Sequence, residues 1–212
     1  MAGAVGDVGD EVDVLALLAA SLMLLGTSAY AQIAVGTGYA QSKHTLAGKK
    51  GTTSSPTNGF YAGIDYNVPV GEIFGLSAGV NYEYLMSKTY SLSSILSGDI
   101  KEQYINVPVR INAGFDLSDD VRLFLFGGPT FSYALSGMVD SGSGAYDVYE
   151  HHDYKRFDVL VGGGAGLDLM DHFRLTVSYD LGLFNTYPSI GDREAAAKLT
   201  RNSLRAGLAF IF

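Results

Sequence analysis

The chain has 212 residues, no cysteine, no tryptophan, 27 glycines, 5 prolines, 14 tyrosines, 11 phenylalanines and a formal net charge of −8. Its length suits one domain with a full core, and the lack of cysteine excludes disulfides, a cysteine-linked lipid anchor and thiol chemistry. The acidic balance argues against a nucleic-acid partner, which needs a basic stripe, while abundant Tyr, Phe and Gly suit strands and turns rather than disorder.

Residues 1–31 read as a signal peptide. Val14 to Gly26 is an apolar run of about 13 residues, too short for a spanning helix. Ala29-Tyr30-Ala31 fits the small-x-small cleavage pattern before Gln32. The leading residues depart from the pattern, because they carry Asp7, Asp10, Glu11 and Asp13 and no Lys or Arg. Residues 32–212 read as a single domain.

Eight segments of this domain alternate with period two, the signature of a strand with two unlike faces. The first, near Gln32–Gln41, sets Ile33, Val35 and Tyr39 against Ala34, Gly36, Gly38 and Ala40. The second, near Phe60–Val68, sets Phe60, Ala62, Ile64 and Tyr66 against Tyr61, Gly63, Asp65 and Asn67. The third, near Phe74–Met86, sets Leu76, Val80, Tyr82 and Tyr84 against Ser77, Asn81 and Glu83. The fourth, near Glu102–Phe115, sets Ile105, Val107, Val109 and Ile111 against Asn106, Pro108, Arg110 and Asn112. The fifth, near Val121–Ser136, sets Leu123, Leu125, Phe131 and Tyr133 against Arg122, Gly128, Thr130 and Ser132; Phe124 and Phe126 break the polarity of that second face. The sixth, near Arg156–Leu169, sets Phe157, Val159, Val161 and Leu167 against Asp158, Gly162, Gly164 and Asp168. The seventh, near Arg174–Asn185, sets Leu175, Val177, Tyr179 and Leu181 against Thr176, Ser178 and Asp180. The last, Asn202–Phe212, sets Leu204, Ala206, Leu208, Phe210 and Phe212 against Ser203, Arg205, Gly207 and Ala209.

Connections alternate in length. Short turns fall at 69–72, 117–120 and 170–173; long links are expected at about 43–58, 87–100, 137–154 and 186–198. An up-and-down meander puts all short turns at one end and all long loops at the other. A soluble lipocalin-like barrel would alternate as well, with its apolar face inward. Three features favour lipid on the apolar side. All seven lysines (Lys43, Lys49, Lys50, Lys88, Lys101, Lys155, Lys198) lie in or beside the long links, whereas a wet sheet surface would be strewn with Lys and Glu. The polar faces are small enough to fit inside a narrow eight-stranded barrel. Aromatics gather at both ends of the strands: Tyr39, Phe60, Tyr84, Tyr133 and Phe157 toward the links, and Phe74, Phe115, Phe173, Phe210 and Phe212 toward the turns. Two such belts match the two interfaces of a bilayer.

The terminal amphipathic strand ending in Phe212, with segments such as Tyr104-Ile105-Asn106-Val107-Pro108-Val109-Arg110 and Leu125-Phe126-Gly127-Gly128-Pro129-Thr130-Phe131, resembles small bacterial outer-membrane β-barrels of the OmpA-transmembrane-domain and OmpX kind. The resemblance covers nearly all of 32–212. It implies an all-β, eight-stranded antiparallel transmembrane barrel with short periplasmic turns and long extracellular loops. It further implies that Leu208, Phe210 and Phe212 form an insertion signal read by the barrel-assembly machinery, and that lipids and lipopolysaccharide of the outer membrane surround the barrel.

Seven charges point to the polar side: Asp65, Glu83, Arg110, Arg122, Asp168, Asp180 and Arg205. Buried charges must be paired, so a plugging ion network is expected, with Arg110 near Glu83 and Arg205 beside Asp180. A proton or ion path is the sharper alternative. His44, next to Ser42 and Thr45, is the one candidate catalytic base; no acid is close in sequence, and a neighbouring strand would have to supply one. His151-His152-Asp153 and the carboxylates Asp140, Asp147, Glu150 and Asp153 read as a solvated link; they match no calcium loop. No catalytic set, cofactor motif or metal set is read. The expected function is structural or surface-interacting, through loops that meet an extracellular ligand or host surface. The alternatives are a narrow pore or small-solute transporter, an outer-membrane enzyme, and a soluble ligand-binding barrel.

Overall fold

Alternation becomes pairing along the described strands. The computed structural model describes residues 31–48, 51–92, 97–140, 144–151, 154–187 and 197–212; apart from Ala31, the expected signal peptide lies outside the described residues. The strands are β1 (Gln32–Gly48), β2 (Gly51–Val70), β3 (Phe74–Ser91), β4 (Ser97–Ser118), β5 (Val121–Asp140), β6 (Ala145–Asp147), β7 (Phe157–Leu169), β8 (Phe173–Gly182) and β9 (Ala197–Ile211), with a one-turn helix, α1 (Val148–His151), after β6. Eight of them close a ring in the order β1-β2-β3-β4-β5-β7-β8-β9, all antiparallel. β9 returns to β1 from Gly48↔Ala197 to Ala34↔Ile211, and the Phe212 N–H donates to the Ile33 carbonyl at 2.8 Å. β6 adds a short hairpin to the far end of β5.

The polarity of the ring is inverted relative to a soluble barrel. Ile33, Val35, Phe60, Ile64, Leu125, Val177, Leu208 and Phe210 are exposed on the outside, while Glu83, Asn106, Arg110, Asp180, Ser203 and Arg205 are buried inside. Ile64 is 55% exposed and Asp180 0%. Burying charge while exposing aliphatic surface is unfavourable in water and favourable where hydrocarbon surrounds the wall. The soluble reading requires the opposite arrangement. Both aromatic belts are present: Phe60 packs on Tyr84 at 5.8 Å, and at the turn end Phe210 packs on Phe173 at 5.6 Å and Phe212 at 5.0 Å.

One expectation needs correction. The stretches 43–58 and 87–100 were expected as long links, but most of each is strand. Lys43 to Gly48 pairs with Pro56 to Gly51, and β3 and β4 stay paired to Ser91↔Ser97. Thr52-Thr53-Ser54-Ser55-Pro56 lacks apolar alternation because this part of the wall rises beyond the aromatic belt, where neither face requires an apolar residue. The β4–β5 seam carries a local irregularity. Val109 and Arg110 of β4 are not paired with Pro129 and Gly128 of β5, although the register resumes at Ile111↔Gly127. Pro108 and Pro129 offer no N–H to this seam, and Gly128 takes φ 153°, which suits glycine. The Arg110 guanidinium donates to the Gly128 carbonyl, satisfying an acceptor the ladder leaves open.

Candidate functional site

Side chains inside the ring fall into three tiers, stacked from the short turns to the long end. In the lowest tier, Arg174 of β8 forks onto Asp168 of β7, with Nε–Oδ1 at 2.6 Å and Nη2–Oδ2 at 2.7 Å. Its guanidinium lies 4.7 Å from the centre of the Phe124 ring. A cation over an aromatic face is attracted by the ring quadrupole, which accounts for an inward Phe on an otherwise polar face. Arg122 pairs with Asp116 at 3.0 Å and donates to the Glu72 carbonyl at 2.9 Å, on the exposed rim. A cavity of about 790 Å³ opens here between the short turns. A second, of about 100 Å³, shares Asn67, Asn112, Phe124 and Arg174 with it and reaches inward to Arg110 and Arg205.

The middle tier is an ionic bridge across the bore. Asp180 of β8 accepts from Arg110 of β4 at 2.7 Å through Oδ1 and from Arg205 of β9 at 2.7 Å through Oδ2. Arg110 also donates to Thr130 Oγ1 at 2.7 Å. Asp65 projects from β2 over Gly79 of β3; a side chain at 79 would collide with its Oδ1.

The upper tier is a denser polar network under a lid. Asn106 donates to Glu83 at 3.0 Å, and the Ser42 hydroxyl bonds the same carboxylate at 3.3 Å. Arg201 of β9 donates to Ser132 Oγ at 2.6 Å and stacks 3.9 Å from the Tyr104 ring centre. Glu102 accepts from the Tyr104 hydroxyl at 3.0 Å and from Thr57 at 3.1 Å, and lies 3.5 Å from His44 Nε2. Burial holds the His44 imidazole below its ordinary value, against the raising pull of Glu102. Over this network sits α1. Asp147 caps it, its carboxylate accepting the Tyr149 N–H at 2.8 Å and the Gly137 N–H at 3.1 Å. Val148 joins an apolar cluster with Tyr90, Leu92, Ile100, Val139 and Leu199, and the Tyr149 hydroxyl meets that of Tyr104 at 3.4 Å.

Polar charge inside, apolar surface outside and closure of the chain on itself together specify a barrel that lives in lipid. A model of the outer membrane protein beta-barrel domain matches residues 22–187. The chain belongs to this family. It is accordingly an outer-membrane protein, and the short turns of such barrels face the periplasm. Solved structures with a similar course include Ail of Yersinia pestis, 16% identical over 85% of this chain and 98% of that one at a TM-score of 0.41. Neisserial surface protein A is 15% identical over 85% and 97%, at 0.48. OprG of Pseudomonas aeruginosa is 10% identical over 86% and 95%, at 0.47. No curated protein matches the sequence.

The seven charges read from the sequence therefore do not form one cluster. Arg110, Asp180 and Arg205 meet; Asp65 lines the same cavity; Asp168 belongs lower with Arg174; and Arg122 is a rim residue. Glu83 sits above the bridge and is not the partner of Arg110. Register explains this, because Arg110 lies opposite Ser77 whereas Glu83 lies opposite Tyr104, six residues further along β3. Arg174, Arg201 and Glu102 were not among the seven. For Arg201 the signal was present: the inward parity of Ser203 and Arg205 continues to it unbroken. Asp147, expected as a solvated link carboxylate, is 9% exposed and caps α1. His152 and Asp153 lie outside the described residues. Among the described residues, no group of three or more His, Asp or Glu side chains is placed to hold a metal ion.

Proposed function

We propose that this barrel is a closed outer-membrane scaffold that presents its long end to the outside, matured by removal of residues 1–31, and that it acts as a surface-interaction protein rather than an enzyme. The observation that carries this reading is the Arg110–Asp180–Arg205 bridge spanning the bore, with the α1 lid and the Tyr149–Tyr104 contact above it. An eight-stranded barrel has an interior just wide enough for side chains to fill, and here charged and aromatic groups fill it. The non-enzymatic part is supported at Ser42, whose hydroxyl is engaged with Glu83 and not with His44; Glu102 supplies an acid beside His44, but no nucleophile is held against the imidazole among the described residues. The partners in this reading are the lipids and lipopolysaccharide of the membrane, the barrel-assembly machinery during insertion, and an extracellular ligand or host surface at the outer end. The test is single-channel recording of the refolded 32–212 barrel in a planar bilayer. No discrete conductance is expected, and steady unitary openings would overturn the closed reading.

A narrow pore is the second reading. The periplasmic cavity and its inward extension favour it, because they already carry solvent space as far as Arg110 and Arg205. Steady openings that grow in Tyr149→Ala would establish it.

A further inference from the structure

Charge is distributed lengthwise with a strong bias. The five lysines among the described residues, Lys43, Lys88, Lys101, Lys155 and Lys198, are all exposed and all lie at the outer end, where Asp99, Asp140 and Glu150 are exposed too; the periplasmic turns expose Glu72, Asp119, Asp120 and Asp171 and no lysine among the described residues. One wall shows the bias in its purest form. β1, residues 51–64 of β2, and β9 contain no Asp or Glu. On the outward side of this wall, above the aromatic belt, Lys43 and Lys198 sit two outward rungs apart, since Lys43 pairs with Asn202 and Lys198 with Ala47. Four residues of strand separate those rungs by about 13 Å. Between them Thr45 and Ser54 share a hydroxyl contact at 3.1 Å. Just below, Gln41 and the Tyr39 hydroxyl both donate to Asn58 Oδ1, at 2.8 and 2.6 Å.

The order along this wall is apolar side chains, then tyrosine, then amides and hydroxyls, then lysine. It matches an amphiphile with acyl chains, a sugar head and anionic groups at its edge. The outer leaflet of a bacterial outer membrane is built of such a phosphorylated glycolipid. Lysine is a flexible point charge that reaches phosphate while its stem lies along apolar surface, and the lack of any carboxylate on β1, β9 and residues 51–64 of β2 removes the repulsion that would oppose phosphate. We propose that the outward face of β2–β1–β9 docks the phosphorylated glycolipid of the outer leaflet, with Lys43 and Lys198 on its phosphates. This rests on the outer end being the long end, as in the function proposed above.

Native mass spectrometry of the detergent-solubilised barrel with added lipid A tests it. Wild type should retain the bisphosphorylated lipid and release its fully dephosphorylated counterpart. A lysine near a phosphorylated surface contributes about fivefold in affinity, so Lys43→Gln/Lys198→Gln should weaken retention about thirtyfold. Lys43→Arg/Lys198→Arg should keep it, and so should Lys101→Gln, which lies across the ring on β4. Equal retention by the double Gln variant, equal retention of dephosphorylated lipid, or an equal loss in Lys101→Gln would each overturn the dock. Labelling of intact cells with a membrane-impermeant amine reagent reports orientation independently: tryptic peptides carrying modified Lys101 and Lys155, at the outer end but off the docking face, uphold the outer placement, and unmodified ones overturn it. A conducting barrel that still retains lipid A would reject closure and leave the dock standing.

Discussion

Arg110 and Asp180 meet at 2.7 Å across the bore, from strands that are not neighbours in the ring. Arg205 holds the other oxygen of the same carboxylate, so one acid serves two cations. Removing that acid leaves two uncompensated buried arginines. Asp180→Asn is therefore expected to cost about 3–5 kcal/mol. Glu83→Gln, which removes only a hydrogen-bonded carboxylate, is expected to cost about 1–2 kcal/mol. Glu83→Gln should give no rescue of Arg110→Met, since the two residues are not partners. Reversible urea unfolding in lipid vesicles, followed by tyrosine fluorescence, checks all three; a mild Asp180→Asn would break the bridge assignment.

The outer surface makes a separate prediction. Ile64 is exposed midway along β2, beside Val35 of β1 and Val80 of β3. A cation there meets hydrocarbon, so Ile64→Arg should destabilise the barrel by about 2–4 kcal/mol in vesicles. Thr52→Arg, on the same outward parity but beyond the aromatic belt, should be close to neutral. Equal effects at both positions would reject the lipid-facing assignment.

The terminal strand yields the third. Leu208 and Phe210 are exposed on the outer face of β9, and Phe212 is exposed just past its end. If they form the insertion signal, Phe212→Asp should strongly reduce the folded, heat-modifiable form recovered from outer membranes, while refolding into detergent changes little because only one rung is touched. Normal outer-membrane yield would sink the signal reading.

Fourth, the outer end should respond to pH. Burial lowers the His44 pKa from 6.5; Glu102 opposes, Arg201 adds to the lowering, and Glu83 opposes. The folded state therefore resists a proton that the unfolded chain accepts. His44 contributes stability that is complete above about pH 6.5 and declines as pH falls from there toward the depressed folded value. Amides in the upper parts of β1 and β4 should lose protection on going from about pH 7.5 to about pH 5, after correction for intrinsic exchange rates. His44→Phe should flatten that difference; an unchanged difference in the variant would assign it to other groups.

The fold was legible because lipid imposes a strict rule on alternate residues. Val177, Tyr179 and Leu181 against Thr176, Ser178 and Asp180 already specify which side is wet. Where the wall leaves the membrane the rule relaxes, and 43–58 then looks like a loop although its described residues are paired. The bridge was only half legible. Arg205 beside Asp180 follows from strand adjacency, since Ser178↔Arg205 and Asp180↔Ser203 are facing pairs. Arg110 to Asp180 does not, because in a narrow ring an inward side chain reaches the opposite wall as readily as its neighbour, and heights depend on a stagger the sequence does not display. The α1 lid was invisible for a different reason: four residues carry no periodicity, and its cap, Asp147, reads like any link carboxylate.

Closure of β9 on β1 also has a kinetic consequence. Phe212 binds Ile33 across nearly the full length of the barrel sequence, so the ring cannot be completed until β9 exists. Non-local pairings of this kind are slow to form. Until then β1 and β9 each present an unpaired edge of backbone donors and acceptors, which templates association between chains. The interval between emergence from the inner membrane and closure is thus the period of greatest exposure to misassembly, and a soluble chaperone holding the open sheet would be needed most while those two edges are apart.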